Sequence, residues 1–386
     1  VMAEAFRVPS NQSALGSETY SLCGPGGTRG KDSRKMDSEH LDLLFQQGFS
    51  TGLAKALSTN ALSFDHRIWV VDNSGSMQIG DGHRIVKATK SKSGMDFNSV
   101  SCTRWEELQD AVRYHAQMAA LLDSSTIFKL LNNPGSRIGP QQFSVAQTGE
   151  ADVSTEIENV FNIIEKVQPG GVTPLTHHIW DIRQSVHAMS PQLIKDDKKV
   201  VVVLATDGLP TDSQGYGGQE VTDGFMQALR SLEGLPIWLV IRLCTDEEPV
   251  TRFYNALDGQ LELSLEVLDD FVGEAEEVYR HNAWINYALP MHRCRELGYH
   301  DRLFDLIDER TLSKGEVRDL CCLIFGVKSQ SLPDPGADWI EFMKTIKALL
   351  KNETLQWNPI KKKMMPWIDL KVLHKYHGNG KACVIM

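Results

Sequence analysis

Ile68-Trp69-Val70-Val71-Asp72-Asn73-Ser74-Gly75-Ser76-Met77, read IWVVDNSGSM, decides the fold. Ile68 to Val71 is a run of four apolar residues, the signature of a strand buried on both faces. The chain then breaks into a tight polar loop, Asp72 to Ser76. In an open α/β sheet, ligands bind outside the carboxyl ends of the strands. Asp72, Ser74 and Ser76 alternate along that loop, so one carboxylate and two hydroxyls can turn toward a common point. An all-oxygen donor set suits a hard cation, Mg²⁺ or Mn²⁺.

Working outward, Lys199 to Leu204 and Ile237 to Leu243 are further buried strands, and the first of them ends in Ala205-Thr206-Asp207-Gly208. Pro169-Gly170-Gly171-Val172-Thr173-Pro174-Leu175 opens a helix. Helical spacing predicts helices from Trp105 to Leu122, Thr155 to Val167 and Glu220 to Leu232, and a short one near Val250 to Leu257. Short β-type runs occupy Thr126 to Leu131 and Gln142 to Ala146, and the alternating run Leu261 to Leu268 fits an edge strand. Strands alternating with amphipathic helices predict a doubly wound α/β fold with a mostly parallel sheet covered on both faces.

The expected organisation is a disordered tail over 1–36, a packing helix and linker over 37–62, and the α/β domain over 63–281. A basic insertion, 78–103, interrupts that domain. A helical appendage over 282–358 and a basic tail over 359–386 follow. The insertion returns to the face that carries Asp72, so His83, Arg84 and Lys87 are candidates for a ligand-binding surface.

DNSGS at Asp72 to Ser76, GGVTPL at Gly170 to Leu175 and ATDG at Ala205 to Gly208 together resemble the three loops of the von Willebrand factor A domain. In that family they form a metal-ion-dependent adhesion site. The resemblance implies that Ser74 and Ser76 bind the cation directly and that Thr173 joins them when a ligand is engaged. Asp72 and Asp207 would act mainly through water. It also implies a non-enzymatic, Mg²⁺- or Mn²⁺-dependent binding module whose protein ligand offers an acidic side chain to the metal. The alternative is a metal-dependent hydrolase or phosphatase acting through Asp72. Phosphatases with an aspartate nucleophile on a similar sheet carry a second aspartate two residues on, and that position here is Ser74. No P-loop occurs.

Charge and cysteine usage narrow the setting. The formal net charge of −10 argues against a nucleic-acid partner. From Pro359 onward, however, six lysines face one aspartate. The seven cysteines include no C-x-x-C pair, which predicts a reduced, intracellular, soluble protein without a zinc ribbon or a disulfide framework. The last four residues, Cys383-Val384-Ile385-Met386, resemble a farnesylation box at Cys383. One prenyl chain binds membranes marginally and needs a second signal. The sequence reading therefore places the protein on the cytosolic face of a membrane, its lysines against an anionic surface.

Overall fold

A computed structural model describes residues 38–87, 97–147 and 152–378. Two helices come first, α1 (Ser38–Gln46) and α2 (Thr51–Ser63). The packing helix expected within 37–62 is thus two helices: Gly48 sits at φ +91°, and the Ser50 side chain caps α2 by accepting from the Leu53 N–H. Strand β1 (Phe64–Val71) leads into the Asp72 loop and then an antiparallel ribbon, β2 (Gly82–Lys87) with β3 (Phe97–Cys102). Helix α3 (Arg104–Leu121) begins with a capping box, Thr103 and Glu106 bonding each other's backbone N–H.

The chain continues through β4 (Thr126–Leu130), β5 (Gln142–Val145), α4 (Val153–Lys166), α5 (Leu175–Lys195), β6 (Lys199–Thr206), α6 (Gln219–Arg230), β7 (Ile237–Leu243), α7 (Glu248–Asn255) and β8 (Leu265–Leu268). The six sheet strands lie in the order β5-β4-β1-β6-β7-β8, with only the β4–β5 pair antiparallel. The protein is therefore α/β with a mostly parallel, helix-flanked sheet. From β1 the chain moves to one side of the sheet, then crosses back to β6 on the other. The carboxyl ends of β1 and β6 are consequently neighbours at the topological switch point, and Val71 pairs with Ala205 there.

Strand alternation assigns the two faces. Trp69 and Val71 pack under α3 and α4, with Leu108, Val112, Val160 and Ile164. Ile68 and Val70 pack under α5 and α6, with Ile179, Ile182, Phe225 and Leu229. The edge strand is shorter than the alternating run: only Leu265 to Leu268 pair with β7, while Leu261 is buried before the strand begins.

A third core holds the remaining helices, α8 (Phe271–Asn282), α9 (Leu289–Glu296), α10 (Arg302–Glu309), α11 (Lys314–Phe325) and α12 (Trp339–Leu349). Leu44, Phe49 and Leu53 belong to this core, so α1 and α2 pack with the C-terminal helices. Gly52 crosses α11 backbone to backbone; a Cβ there would lie 1.7 Å from the Leu323 carbonyl oxygen. Helix α3 is shared, with Trp105 and Leu108 in the sheet core and Tyr114 and Met118 in the helical one.

Two expectations need correction here. The appendage expected from residue 282 is not helical at its start: α9 begins only at Leu289, because Ile285 forms an antiparallel bridge with Ile368. The basic tail does not start at Pro359. Strands β9 (Gln356–Asn358) and β10 (Lys363–Met365) form a second ribbon, and α13 (Leu370–His377) follows. Trp367, Ile368 and Leu373 are fully buried in the helical core, and the lysines around them mark only the solvent side. Lys381 and the Cys383 box lie outside the described residues. Among the described residues, no helix is long and apolar enough to cross a membrane.

Candidate metal centre

The candidate centre is built from three loops that hydrogen-bond to one another. Asp72 continues β1 and donates its N–H to the Ala205 carbonyl at 3.0 Å, which fixes it beside Thr206. Its Oδ1 accepts the Ser74 N–H at 2.8 Å, an Asx-turn that curls the loop, and its Oδ2 accepts Thr206 Oγ1 at 2.6 Å. Gly75 to Gln78 form a 3₁₀ turn that buries Met77. Gly170 N–H donates to the Asn73 carbonyl at 2.8 Å and Gly75 N–H to the Gly171 carbonyl at 3.3 Å, joining the first and second loops. Gly171 is at φ +92°, and a Cβ there would meet Asn132 Oδ1 at 2.9 Å, so this position needs glycine.

The second and third loops are joined likewise. Thr173 N–H donates to Thr211 Oγ1, and Thr211 N–H to the Thr173 carbonyl, each at 2.9 Å. A Cβ at Gly208 would stand 3.8 Å from Thr173 Oγ1, which puts that hydroxyl beside the loop that carries Asp207. Ser76 Oγ donates to Asp207 Oδ1 at 2.8 Å, and the Ser74 and Ser76 hydroxyl oxygens are 3.1 Å apart. Asp72, Ser74, Ser76, Thr173 and Asp207 thus occupy one cluster of loops at the switch point. All but Ser76 are buried.

Electrostatics and spacing fit a cation. Burial pushes the Asp72 carboxyl up to about 6, and the Asp207 charge adds to the rise against hydrogen bonds from Thr206 and Ser74. Burial also raises Asp207, opposed by Ser76 and Arg104. Two buried carboxylates that raise each other's cost of ionisation are what a dication would relieve. Octahedral Mg²⁺ with oxygens at about 2.1 Å sets neighbouring ligands about 3.0 Å apart, close to the spacing of the two serine hydroxyls. Among the described residues, no group of three or more His, Cys, Asp or Glu side chains is placed to hold a metal. A cation here would rest on hydroxyls as much as on carboxylates. Helix α5 begins at Leu175, directly after Thr173, and its positive dipole end favours an anion at this loop cluster.

The insertion residues lie elsewhere. Arg84 forms a bidentate pair with Asp110 of α3 at 2.6 and 3.0 Å, so its charge is committed. His83 is exposed, its N–H donating to Glu107 at 3.0 Å. Lys87 pairs with Phe97 at the far end of the ribbon, where Ile85 and Phe97 pack on the helical core. The ribbon runs along α3 away from the loops, and its base at Asp81 is the part linked to them. His178 is buried with Nε2 on the Leu131 carbonyl at 2.9 Å, burial lowering it to about 4, whereas His177 is exposed beside Asp181.

Several residues of the cluster escape motif reading. Asn73 Nδ2 donates to the Asn132 carbonyl while its Oδ1 accepts the Asn132 N–H, tying the loop to the end of β4. Thr206 holds Asp72, and Gln78 Nε2 donates to the Pro169 carbonyl at 2.6 Å. Arg104 Nη1 donates to Asp207 Oδ2 at 3.0 Å. One sequence signal marks Arg104: a cation in the first turn of a helix opposes the helix dipole, so something outside the helix must hold it there. No protein-family model and no curated protein matches the chain.

Proposed function

We propose that these three loops form a divalent-cation site that completes its coordination with an acidic group from a protein partner, in the manner of a von Willebrand factor A domain. The observation that carries this reading is the hydrogen-bonded line Ser74–Ser76–Asp207 beside buried Asp72, with Thr173 adjoining from the second loop. Hydroxyl ligands leave a cation electrophilic, and outer carboxylates orient its waters, so a carboxylate is favoured at an open position. The surroundings suit a macromolecular ligand. Ile79, Leu209 and Tyr216, which follow the first and third loops in sequence, are exposed large apolar side chains available to a partner.

The test uses purified full-length protein and calorimetric titration with MgCl₂ and MnCl₂, followed by binding to arrayed peptides rich in Asp or Glu. Saturable Mg²⁺ uptake, peptide binding lost in EDTA, and loss of both in Asp72→Ala are expected. Peptide capture that survives EDTA would overturn the reading. Sustained Mg²⁺-dependent phosphatase turnover lost in Asp72→Asn would replace it with the hydrolytic one.

A further inference from the structure

Arg104 stands between the candidate centre and two elements outside it. Its Nε and Nη2 grip Asp81 at 2.7 and 2.6 Å, Nη2 also donates to Glu247 at 2.8 Å, and Nη1 donates to Asp207 at 3.0 Å. Asp81 lies at the base of the β2–β3 ribbon and Glu247 in the loop after β7. The Arg104 side chain is 2% exposed and that of Asp207 fully buried, while Asp81 and Glu247 are 49% and 54% exposed. Asp207 is divided by this arrangement: Oδ2 faces the guanidinium and Oδ1 faces Ser76.

Resting on the reading of the centre as a cation site, we infer that Arg104 is its built-in counter-ion and positioning residue. It neutralises Asp207 when no divalent ion is present and presents Oδ1 to the serine loop. By its own charge it also keeps the affinity for the ion low. A fixed positive charge on one side of a carboxylate disfavours a dication arriving on the other, strongly where water is excluded. The ion is then held loosely enough to exchange. Its affinity depends on how far Asp81 and Glu247 draw off the Arg104 charge, which connects the centre to the ribbon and to the β7 loop.

The experiment combines calorimetric Mg²⁺ titration with thermal unfolding in EDTA, on full-length protein. Arg104→Met should bind Mg²⁺ about tenfold or more tighter, because the repelling charge is gone. In EDTA the same variant should melt roughly 5–10 °C lower, its Asp207 charge left unpaired. Arg104→Lys, which keeps the charge but not the fork, should stay within about threefold of wild-type affinity. A merely structural Arg104 would lower the melting temperature without tightening Mg²⁺; unchanged or weaker Mg²⁺ binding in Arg104→Met overturns the inference. Should that variant not fold, Asp81→Asn combined with Glu247→Gln decides: these half-exposed changes should weaken Mg²⁺ binding about three- to tenfold, and unchanged or tighter binding overturns the inference.

A double-mutant cycle of Arg104→Met with Asp207→Asn in EDTA separates the two levels. Most of the melting loss should vanish when Asp207 is already neutral, and additive losses overturn the counter-ion role whatever the ion does. Wild-type protein that takes up no Mg²⁺ overturns the cation centre itself, and with it the affinity effect.

Discussion

Two fully buried carboxylates, Asp72 and Glu296, are driven in opposite directions by their surroundings. Asp72 is pushed up to about 6, since burial and Asp207 outweigh its hydrogen bonds. Burial also opposes ionisation at Glu296, yet the Arg293 charge and a hydrogen bond from His115 hold it well below the usual carboxylate range. Arg242 Nε donates to Glu296 at 2.8 Å, Arg293 Nη1 at 2.5 Å, and His115 Nε2 at 2.9 Å. Nearby, Arg295 gathers Glu266, Glu274 and Asp308 between β8, α8 and α10. Around Glu296 the seam between sheet and helical core therefore brings two guanidinium groups to one buried carboxylate. At the loop cluster the Arg104 guanidinium pairs with buried Asp207 and with the outer Asp81 and Glu247, while buried Asp72 accepts from the Ser74 N–H and Thr206 Oγ1. Two guanidinium groups on one carboxylate mark Glu296 as scaffold, whereas Asp72, held by neutral donors, marks the loops as a place for a ligand.

The contrast breaks most visibly at the seam. Glu296→Ala should cost about 3–5 kcal/mol in urea unfolding, because buried Arg242 and the partly buried Arg293 lose their shared anion. The cost should be the same in Mg²⁺ and in EDTA; a loss under 1 kcal/mol would mean that the seam is not held by this charge.

Next in size is a pH effect at the same place. Burial lowers His115 to about 4 against hydrogen bonding and attraction from Glu296, with Arg293 and Arg242 also lowering it. Its neutral form belongs to the fold and its charged form to the unfolded chain. The stabilisation is therefore complete above pH 6.5 and is lost as pH falls toward 4, by about 3 kcal/mol. Wild type should lose that much relative to His115→Gln across this window in paired unfolding curves; parallel curves would refute it.

Asp72→Asn sharpens the other half. Removing a costly buried charge offsets the hydrogen bonds lost, so stability in EDTA should move by no more than about 1 kcal/mol. Mg²⁺-induced stabilisation, about 1–3 kcal/mol for 10 mM Mg²⁺ at submillimolar affinity, should disappear. Equal melting shifts on Mg²⁺ addition in both proteins would remove the proposed distinction. Arg84→Ala gives the smallest effect, about 0.5–1 kcal/mol as a partly exposed pair, with Mg²⁺ titration unchanged.

The central strands β1, β6 and β7 were legible because each carries a local signal, four or more consecutive apolar residues and then a polar break. What was not legible depends on partners distant in sequence. Arg104 carries only the signal of a cation in a first helical turn, and the carboxylates that hold it there, Asp207 and Glu247, are more than a hundred residues away in sequence. The β2–β3 ribbon is hidden by its charge, since Arg84 finds Asp110 only when the ribbon lies along α3. The lysines around Trp367 and Ile368 suggested a solvated tail, and only the bridge from Ile285 reveals a folded segment. The burial of His178 likewise depends on a distant partner, the Leu131 carbonyl that its Nε2 meets.

The crossing of Gly52 with α11 bears on the order of assembly during synthesis. Helices α1 and α2 leave the ribosome first, yet the surface that covers them is made of residues some 250 positions later. Through the translation of the whole sheet, Leu44, Phe49 and Leu53 lack most of the core they close on, which comes from α8 to α13, a long-range closure that slows folding and exposes apolar surface meanwhile. The backbone contact at Gly52 leaves no room for a side chain, so the last helices must seat the first ones at a single fixed depth. The sheet is thus enclosed in sequence by the two halves of one helical body, and a cut after residue 281 would strip α1 and α2 of their cover as surely as it removes the helices beyond it.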